Sequence, residues 1–128
     1  MNHKNVIRVA VVLLVMVLAS SFVSEPLAEK YTPAGTWEYS VPGVQPGYEN
    51  GSMIIAEDGK EYKVTMVLNE YYKTEAEQVV YKKKAISFSV YVENEEVKVN
   101  GNFEGDEFKG RLSYFEGDFD ITAKRTAK

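Results

Sequence analysis

Apolar and polar residues alternate with a period of two along most of this chain, and that alternation limits the kinds of structure it can form. In residues 62–68 the even positions hold tyrosine, valine, methionine and leucine, while a lysine, a threonine and a second valine stand between them. A β-strand points successive side chains to opposite faces, so this pattern gives a strand with one buried face. Residues 34–125 contain no comparable stripe with helical spacing. The sequence therefore predicts an all-β fold.

Turn chemistry interrupts the alternation about every ten residues. The dipeptides Asp58-Gly59, Gly105-Asp106 and Glu116-Gly117 are typical of tight hairpin turns, and Asn94 and Lys82–Lys84 mark two weaker turns. Together the runs and turns predict eight strands, near residues 35–42, 51–57, 60–69, 75–82, 84–93, 95–104, 107–115 and 118–125.

Short connections between successive strands favour an antiparallel up-and-down meander, and eight strands are enough to close into a barrel. A domain of roughly 90 residues is only marginally stable on core burial alone. Because the chain has no cysteine, a disulfide cannot add stability, and a closed sheet is favoured over an open one. In the fourth predicted strand, residues 76, 78 and 80 compete with residues 79 and 81 for the inner face.

The N-terminal segment has the order of a secretory signal peptide. Lys4 and Arg8 precede the apolar stretch Val9–Ala19, and small serines follow it. The apolar stretch is shorter than the ~20 residues that a membrane span needs, with an uncleaved anchor as the alternative. We expect a signal peptide at 1–21, a flexible lead at 22–33 and the barrel domain at 34–128. The expected location is extracytoplasmic, periplasmic or secreted, without stable membrane insertion after cleavage.

Signal removal changes both the charge and the available chemistry. It takes two basic and no acidic residues from totals of 15 and 19, leaving 13 against 19 and a net charge of −6. Such an acidic domain is a poor partner for nucleic acid or anionic membranes. It also removes His3, the only histidine, so the mature chain has no Ser-His or Cys-His pair and no usual zinc ligand set. We therefore predict a protein that is not an enzyme and needs no metal or cofactor.

Two carboxylate pairs could suggest a glycosidase, but their spacing opposes that function. Glu95 and Glu96 are neighbours and face opposite sides of a strand, while Asp118 and Asp120 both lie on its polar outer face. Neither pair provides an acid and a base across a cleft.

The first and last strands carry a recognisable combination, Gly35-x-Trp37 and a terminal Arg125. This resembles the calycin group of up-and-down barrels, the lipocalins and their relatives. The resemblance implies that Trp37 plugs the closed end and that Arg125 lies across it. Strand parity agrees, because Arg125 shares a face with Ile121 and Ala123, and an indole face suits an inward guanidinium.

The second half of the chain resembles small bacterial calycin-like modules, which are exported or attached to enzymes and have no agreed activity. It has their glycine-aspartate turn followed by a strand with Lys109-Gly110, then the Gly117 turn and a phenylalanine strand that ends with Thr122 and Arg125. The resemblance implies a small lipocalin-like barrel, and it implies no particular chemistry.

Alternate loops of an up-and-down barrel emerge at opposite ends. If Trp37 marks the closed end, the loops 42–50, 69–74, 93–95 and 116–117 surround the open end, and the lysine turn lies at the closed end. The open end is then aromatic and acidic, which opposes the binding of fatty acids and other anions. The candidate ligand-binding residues are Tyr48, Tyr71, Tyr72, Gln45 and Glu70.

Two functions remain open. The first is a binding module for a small neutral or amphipathic ligand, such as a saccharide, or for an envelope or secreted protein partner. A cationic ligand also fits this acidic end. The second is a structural or protein-interaction domain whose barrel is filled by its own side chains and takes no small ligand. The inward residues bulky enough to fill it are Tyr62, Met66, Phe88, Phe103, Phe108, Tyr114 and Phe119.

Overall fold

The computed structural model of the chain describes residues 30–128, so the expected signal peptide and most of the expected lead lie outside the described residues. Within that range no helix has the length and apolar character needed to cross a membrane. The described residues form nine strands: β1 (Gly35–Ser40), β2 (Asn50–Asp58), β3 (Glu61–Asn69), β4 (Tyr72–Glu75), β5 (Glu77–Lys82), β6 (Ala85–Val92), β7 (Glu95–Glu104), β8 (Glu107–Tyr114) and β9 (Gly117–Ala127).

The nine strands form one sheet in the order β4-β3-β2-β1-β9-β8-β7-β6-β5. Every pairing is antiparallel, and the first strand pairs with the last through Trp37 opposite Arg125. The two strands at the ends of this order, β4 and β5, follow each other in the chain, so the sheet curls into a nearly closed barrel. The predicted all-β, antiparallel, up-and-down architecture is confirmed.

The prediction of eight strands is wrong in one region. The extra strand is β4, which lies almost entirely in the predicted loop 69–74 and pairs with β3, while β5 covers most of the predicted strand 75–82 and pairs with β6. Gln78 has a φ of 55°, and the pairing register shifts beside it. This extra residue moves the inner face from Ala76 to Val79, which are both half-buried. The two sets of residues that compete for the inner face in the sequence therefore each contribute to it, with Ala76 before the extra residue and Val79 after it. The predicted loop 69–74 is correspondingly shorter, because β4 begins at Tyr72.

Two hairpin turns are built from residues other than glycine. Lys83 and Lys84 have φ values of 52° and 70°, and Glu93 and Asn94 have values of 51° and 68°. Positive φ at both central residues is the requirement of a type I′ turn, which matches the twist of the flanking strands. A side chain in this left-handed region costs roughly 1 kcal/mol per residue, so both turns hold local strain.

Lys84→Gly is expected to raise the free energy of unfolding by about 1 kcal/mol, because glycine adopts positive φ without the steric cost. The carbonyl of Lys84, which accepts a hydrogen bond from the Phe103 amide at 2.8 Å, is kept in the variant. Urea unfolding followed by circular dichroism measures the change. Lys82→Gly is the matched control, since Lys82 ends β5 outside the positive-φ region and its replacement should destabilise the barrel. Equal effects of the two variants would contradict the turn assignment.

The closed half of the barrel is filled by aromatic side chains. Trp37 is fully buried, and the Phe103 ring lies 4.9 Å from it and 4.9 Å from the Phe108 ring, between centroids. Gly101 makes room for this packing, because a Cβ there would lie 2.5 Å from the Phe108 ring. This end of the barrel therefore matches the side-chain-filled alternative.

Arg125 closes that end with directional contacts. Its guanidinium carbon lies 5.0 Å from the centroid of the Trp37 ring, and its side chain is 5% exposed. It donates hydrogen bonds to the carbonyls of Thr32 at 2.7 Å and Ala34 at 3.0 Å, and pairs with Asp106 at 2.8 Å. The segment before β1 is thus held across the barrel end.

Gly35 and Trp37 complete the closed end. The Trp37 indole Nε1 donates a hydrogen bond to the carbonyl of Pro33 at 2.8 Å. Gly35 has a φ of 140°, and a Cβ there would lie 2.3 Å from the Ala127 carbonyl and 2.9 Å from Cδ of Arg125. Only glycine fits this position without a shift of the backbone.

Candidate functional site

The open half of the barrel contains a cavity of about 470 Å³. Its position follows from the inward side chains of β7, where Phe103 lies in the closed half and the shorter Val99 and Val97 lie in the open half. Short valines on β6 and β7 leave the middle of the open half unfilled, whereas phenylalanines fill the closed half. Most of the walls are apolar: Val41, Val44, Met66, Leu68, Val90, Val92, Val97, Val99 and Leu112.

Three glutamates and three aromatic residues form the rim of the cavity, and we call this set the acidic rim. It consists of Glu93, Glu95, Glu116, Tyr48, Tyr114 and Phe115. The turns after β6 and β8 and the first residue of β7 place the carboxylates there. The described residues that line the cavity include no lysine, arginine or histidine, so the opening carries charge of one sign.

Two phenols of the acidic rim are hydrogen-bonded to its carboxylates. Tyr48 Oη donates to Glu93 Oε2 at 2.9 Å, and Tyr114 Oη donates to Glu116 Oε1 at 3.3 Å. The hydrogen bond to Glu93 raises the pKa of Tyr48. Desolvation, followed by the charge of Glu116, raises the pKa of Tyr114. Both phenols therefore stay neutral near pH 7 and donate to the carboxylates.

The longest loop, residues 41–49, covers one side of the opening. The Val41 amide donates to the Glu49 carbonyl at 2.7 Å, and the Tyr48 amide donates to the Gln45 carbonyl at 3.2 Å. These bonds turn the loop so that Val44, Gln45 and Tyr48 face the cavity.

The structure brings two of the five candidate ligand-binding residues together at the cavity, Gln45 and Tyr48. Glu70 and Tyr71 lie in the β3–β4 turn outside the lining, and Tyr71 is 92% exposed. Tyr72 is also outside it: its hydroxyl donates to the Tyr91 carbonyl at 3.3 Å and accepts from the Glu93 amide at 3.2 Å. That hydroxyl links β4 to the end of β6, where the two strands are not paired.

Sequence reasoning did not select the valines of β6 and β7 or Tyr39 as site residues. The alternation of apolar and polar residues does place Val97 and Val99 on the inner face of the barrel. It does not show how far apart the opposite walls of the barrel are, and therefore does not predict a cavity. The two members of the Glu95-Glu96 pair do separate as their spacing requires, with Glu95 in the lining and Glu96 exposed.

Tyr39 is the polar group in the cavity wall that has no hydrogen-bond partner. It is 4% exposed, and its hydroxyl makes no hydrogen bond with any residue in the described range. The ring lies against Gly51, where a Cβ would be 2.7 Å from the hydroxyl oxygen. Burial raises the pKa of Tyr39 to about 12.

Tyr39→Phe is expected to raise the free energy of unfolding by about 1 kcal/mol at neutral pH, because it removes a buried hydroxyl without a partner. The difference should grow between pH 10 and 12. In that window the phenol of the unfolded wild-type chain ionises while the buried one stays protonated, so the unfolded state binds fewer protons and wild-type stability falls. Unfolding curves of both proteins from pH 7 to 12 measure it. Parallel pH profiles would contradict the burial of this hydroxyl.

Residues 30–128 contain no group of three or more histidine, cysteine, aspartate or glutamate side chains placed to hold a metal ion. The carboxylates of the acidic rim therefore act through their charge, and they do not form a set of metal ligands.

Comparison with known proteins yields structural similarity only. No protein-family model and no curated protein sequence matches the chain. Among solved structures, a redesigned β-barrel is 15% identical and has a TM-score of 0.51, covering 73% of this chain and 90% of its own. A mutant of the fluorescent protein UnaG is 10% identical, with a TM-score of 0.48 and coverage of 75% and 97%. Human cRBP IV is 12% identical, with a TM-score of 0.46 and coverage of 76% and 100%.

At 15% identity, the similarity to the redesigned barrel concerns the fold alone. It agrees with the strand order, in which β1 pairs with β9 and successive strands are antiparallel. The chain is therefore an up-and-down antiparallel β-barrel, the fold that its resemblance to the calycin-like modules implies.

Proposed function

We propose that this protein binds a small molecule with a mainly apolar body in the cavity at the open end of its barrel. The cavity volume of about 470 Å³ is the observation that carries the proposal. Ligand pockets commonly enclose roughly 300–1,000 Å³ and have apolar walls with a few polar groups. A barrel that serves only as a filled structural scaffold would have its interior packed throughout, whereas the open half of this barrel retains a cavity.

The chemistry of the cavity walls limits the class of ligand that can bind. Valine, leucine and methionine side chains cannot satisfy the hydroxyl groups of a saccharide, so the interior favours an apolar body over a sugar. Polar contacts are concentrated at the acidic rim, where a polar group of the ligand would stay close to water. The proposed activity is binding, and it includes no catalytic step.

Binding of the neutral apolar fluorophore N-phenylnaphthylamine tests this function. Its emission should rise on entering the cavity, and Leu112→Trp should weaken binding at least about tenfold, because the half-buried Leu112 lines the cavity and an indole would occupy it. Leu112→Met keeps the side-chain volume and is the matched control. A fluorophore affinity that is the same in Leu112→Trp and wild type would overturn the proposal.

We further propose that this binding takes place outside the cytoplasm, after removal of residues 1–21. The charged start, apolar stretch and small residues of the N-terminus support this. Mass spectrometry of the protein recovered from its own host tests it, with the expected N-terminus directly after Ala19 or Ser21. A mature chain that still begins at Met1 would contradict it.

A further inference from the structure

We infer that the ligand is an amphipathic cation, with its apolar body in the cavity and its positive group at the acidic rim. This inference rests on the proposed function and adds the chemical class of the ligand. It depends on the charge of the rim, on the aromatic rings beside it, and on the apolar cavity below them.

The charge of the rim is not neutralised by the protein. The ion pairs among residues 30–128 involve Glu75, Asp106, Asp118 and Asp120, and none involves a carboxylate of the acidic rim. Three carboxylates around one opening repel an incoming anion and attract a cation, with a strength that salt reduces. The rim carboxylates therefore distinguish ligands by the sign of their charge.

The aromatic residues strengthen the same preference. Tyr48 and Tyr114 each donate a hydrogen bond to a rim glutamate, and Phe115 packs edge-on against Tyr114 with 5.6 Å between ring centroids. Aromatic faces attract ammonium groups and are a common device for holding quaternary amines. Carboxylates and aromatic rings together suit an alkylammonium group better than a neutral hydroxyl group or a sulfate.

The cavity below the rim is an observation that is independent of the charges. Its volume of about 470 Å³ is in the range of ligand pockets, and most of its lining side chains are valine, leucine and methionine. The apolar body of a ligand can therefore enter the barrel while its positive group stays at the acidic rim.

Three ten-carbon probes that differ in their head group test the inference: decyltrimethylammonium, decyl maltoside and decyl sulfate. Isothermal titration calorimetry of the whole protein, below the micelle concentration of each probe, should give the tightest binding for the cation and the weakest for the sulfate. We expect an affinity ratio between these two of at least about tenfold at low salt, decreasing toward one as salt is raised to about 1 M.

A triple glutamine variant assigns this ratio to the rim. Glu93→Gln, Glu95→Gln and Glu116→Gln together should reduce the cation-to-anion ratio to about threefold or less while leaving maltoside binding unchanged. The matched control removes the same charge at the opposite end of the barrel, and its ratio should stay within about twofold of wild type. Circular dichroism melts show whether both variants are folded. The control substitutions are Glu57→Gln, Glu104→Gln and Glu107→Gln, all at exposed positions.

The outcomes separate this inference from the proposed function. If all three probes bind equally and Leu112→Trp weakens each of them, the cavity binds ligands but the inference is overturned. If the cation binds equally well to Leu112→Trp, it is held on the acidic surface outside the cavity, which also overturns it. If neither the probes nor the neutral fluorophore binds, the proposed function fails with it.

Discussion

Trp37→Ala is expected to lower the free energy of unfolding by about 3–5 kcal/mol, the usual cost of truncating a large buried aromatic side chain. The Trp37 side chain is fully buried between the Phe103 ring and the Arg125 guanidinium, and it satisfies the carbonyl of Pro33. Its removal leaves a cavity in the aromatic core of the closed end. For a domain of this size each kcal/mol lowers Tm by roughly 4–8 °C, so Tm should fall by more than about 10 °C.

Urea unfolding followed by far-UV circular dichroism measures this effect, since the variant has lost the only tryptophan. Tyr71→Ala is the control, because a side chain that is 92% exposed should contribute less than about 0.5 kcal/mol. Trp37→Phe should fall between the two, because it keeps part of the packing but leaves the Pro33 carbonyl without its indole donor. Similar unfolding curves for Trp37→Ala and Tyr71→Ala would contradict the assignment of Trp37 to the core of the closed end.

The parts of the fold that depend on local chemistry could be predicted from the sequence. Alternation over residues 62–68 identifies β3 and its buried face, and Gly105 supplies the positive φ of the turn between β7 and β8. Even the inward direction of Arg125 follows from its parity with Ile121 and Ala123. Each of these features is set by side-chain period or by the steric freedom of one glycine, and both can be identified in the chain itself.

The division between β4 and β5 could not be predicted in this way. Glutamine is not a residue type that favours a bulge. The φ of 55° at Gln78 is imposed by barrel closure, because one segment of the chain has to pair with β3 and then with β6. The turn at Lys83 and Lys84 is a similar case. Both conformations oppose the backbone preferences of the residues that adopt them. They are stabilised by the pairing of distant strands, so the local sequence does not predict them.

The sequence predicts the charge of the candidate site better than it predicts which residues line the cavity. Loop alternation placed the glutamates at one end, but it also assigned Tyr71 and Tyr72 there as ligand contacts, and the structure puts both outside the cavity lining. Tyr72 instead joins two unpaired strand ends through its hydroxyl. Whether a tyrosine at a strand end faces inward depends on where the strand begins, and β4 begins at Tyr72, three residues earlier than the predicted loop 69–74 allows.

Arg125→Met is expected to lower the free energy of unfolding by about 3 kcal/mol, although it keeps an unbranched apolar stem of similar length. The loss comes from the half-buried carbonyls of Thr32 and Ala34, which would remain at the closed end without their donor, at about 1 kcal/mol for each group. The contact with Trp37 adds about 0.5–2 kcal/mol. Asp106 is 62% exposed, so water replaces the guanidinium there at little cost.

Arg111→Met is the matched comparison, because it removes an ion pair of nearly the same length from a different environment. Arg111 pairs with Asp120 at 2.7 Å, but its side chain is 54% exposed, against 5% for Arg125. An exposed pair contributes about 0–1 kcal/mol, so Arg111→Met should leave the unfolding curve almost unchanged. Asp106→Asn should also have a small effect, since the carbonyl contacts of Arg125 persist. If Asp106→Asn destabilised the barrel as much as Arg125→Met, the stabilisation would come from the ion pair, and the two carbonyls would not be its source.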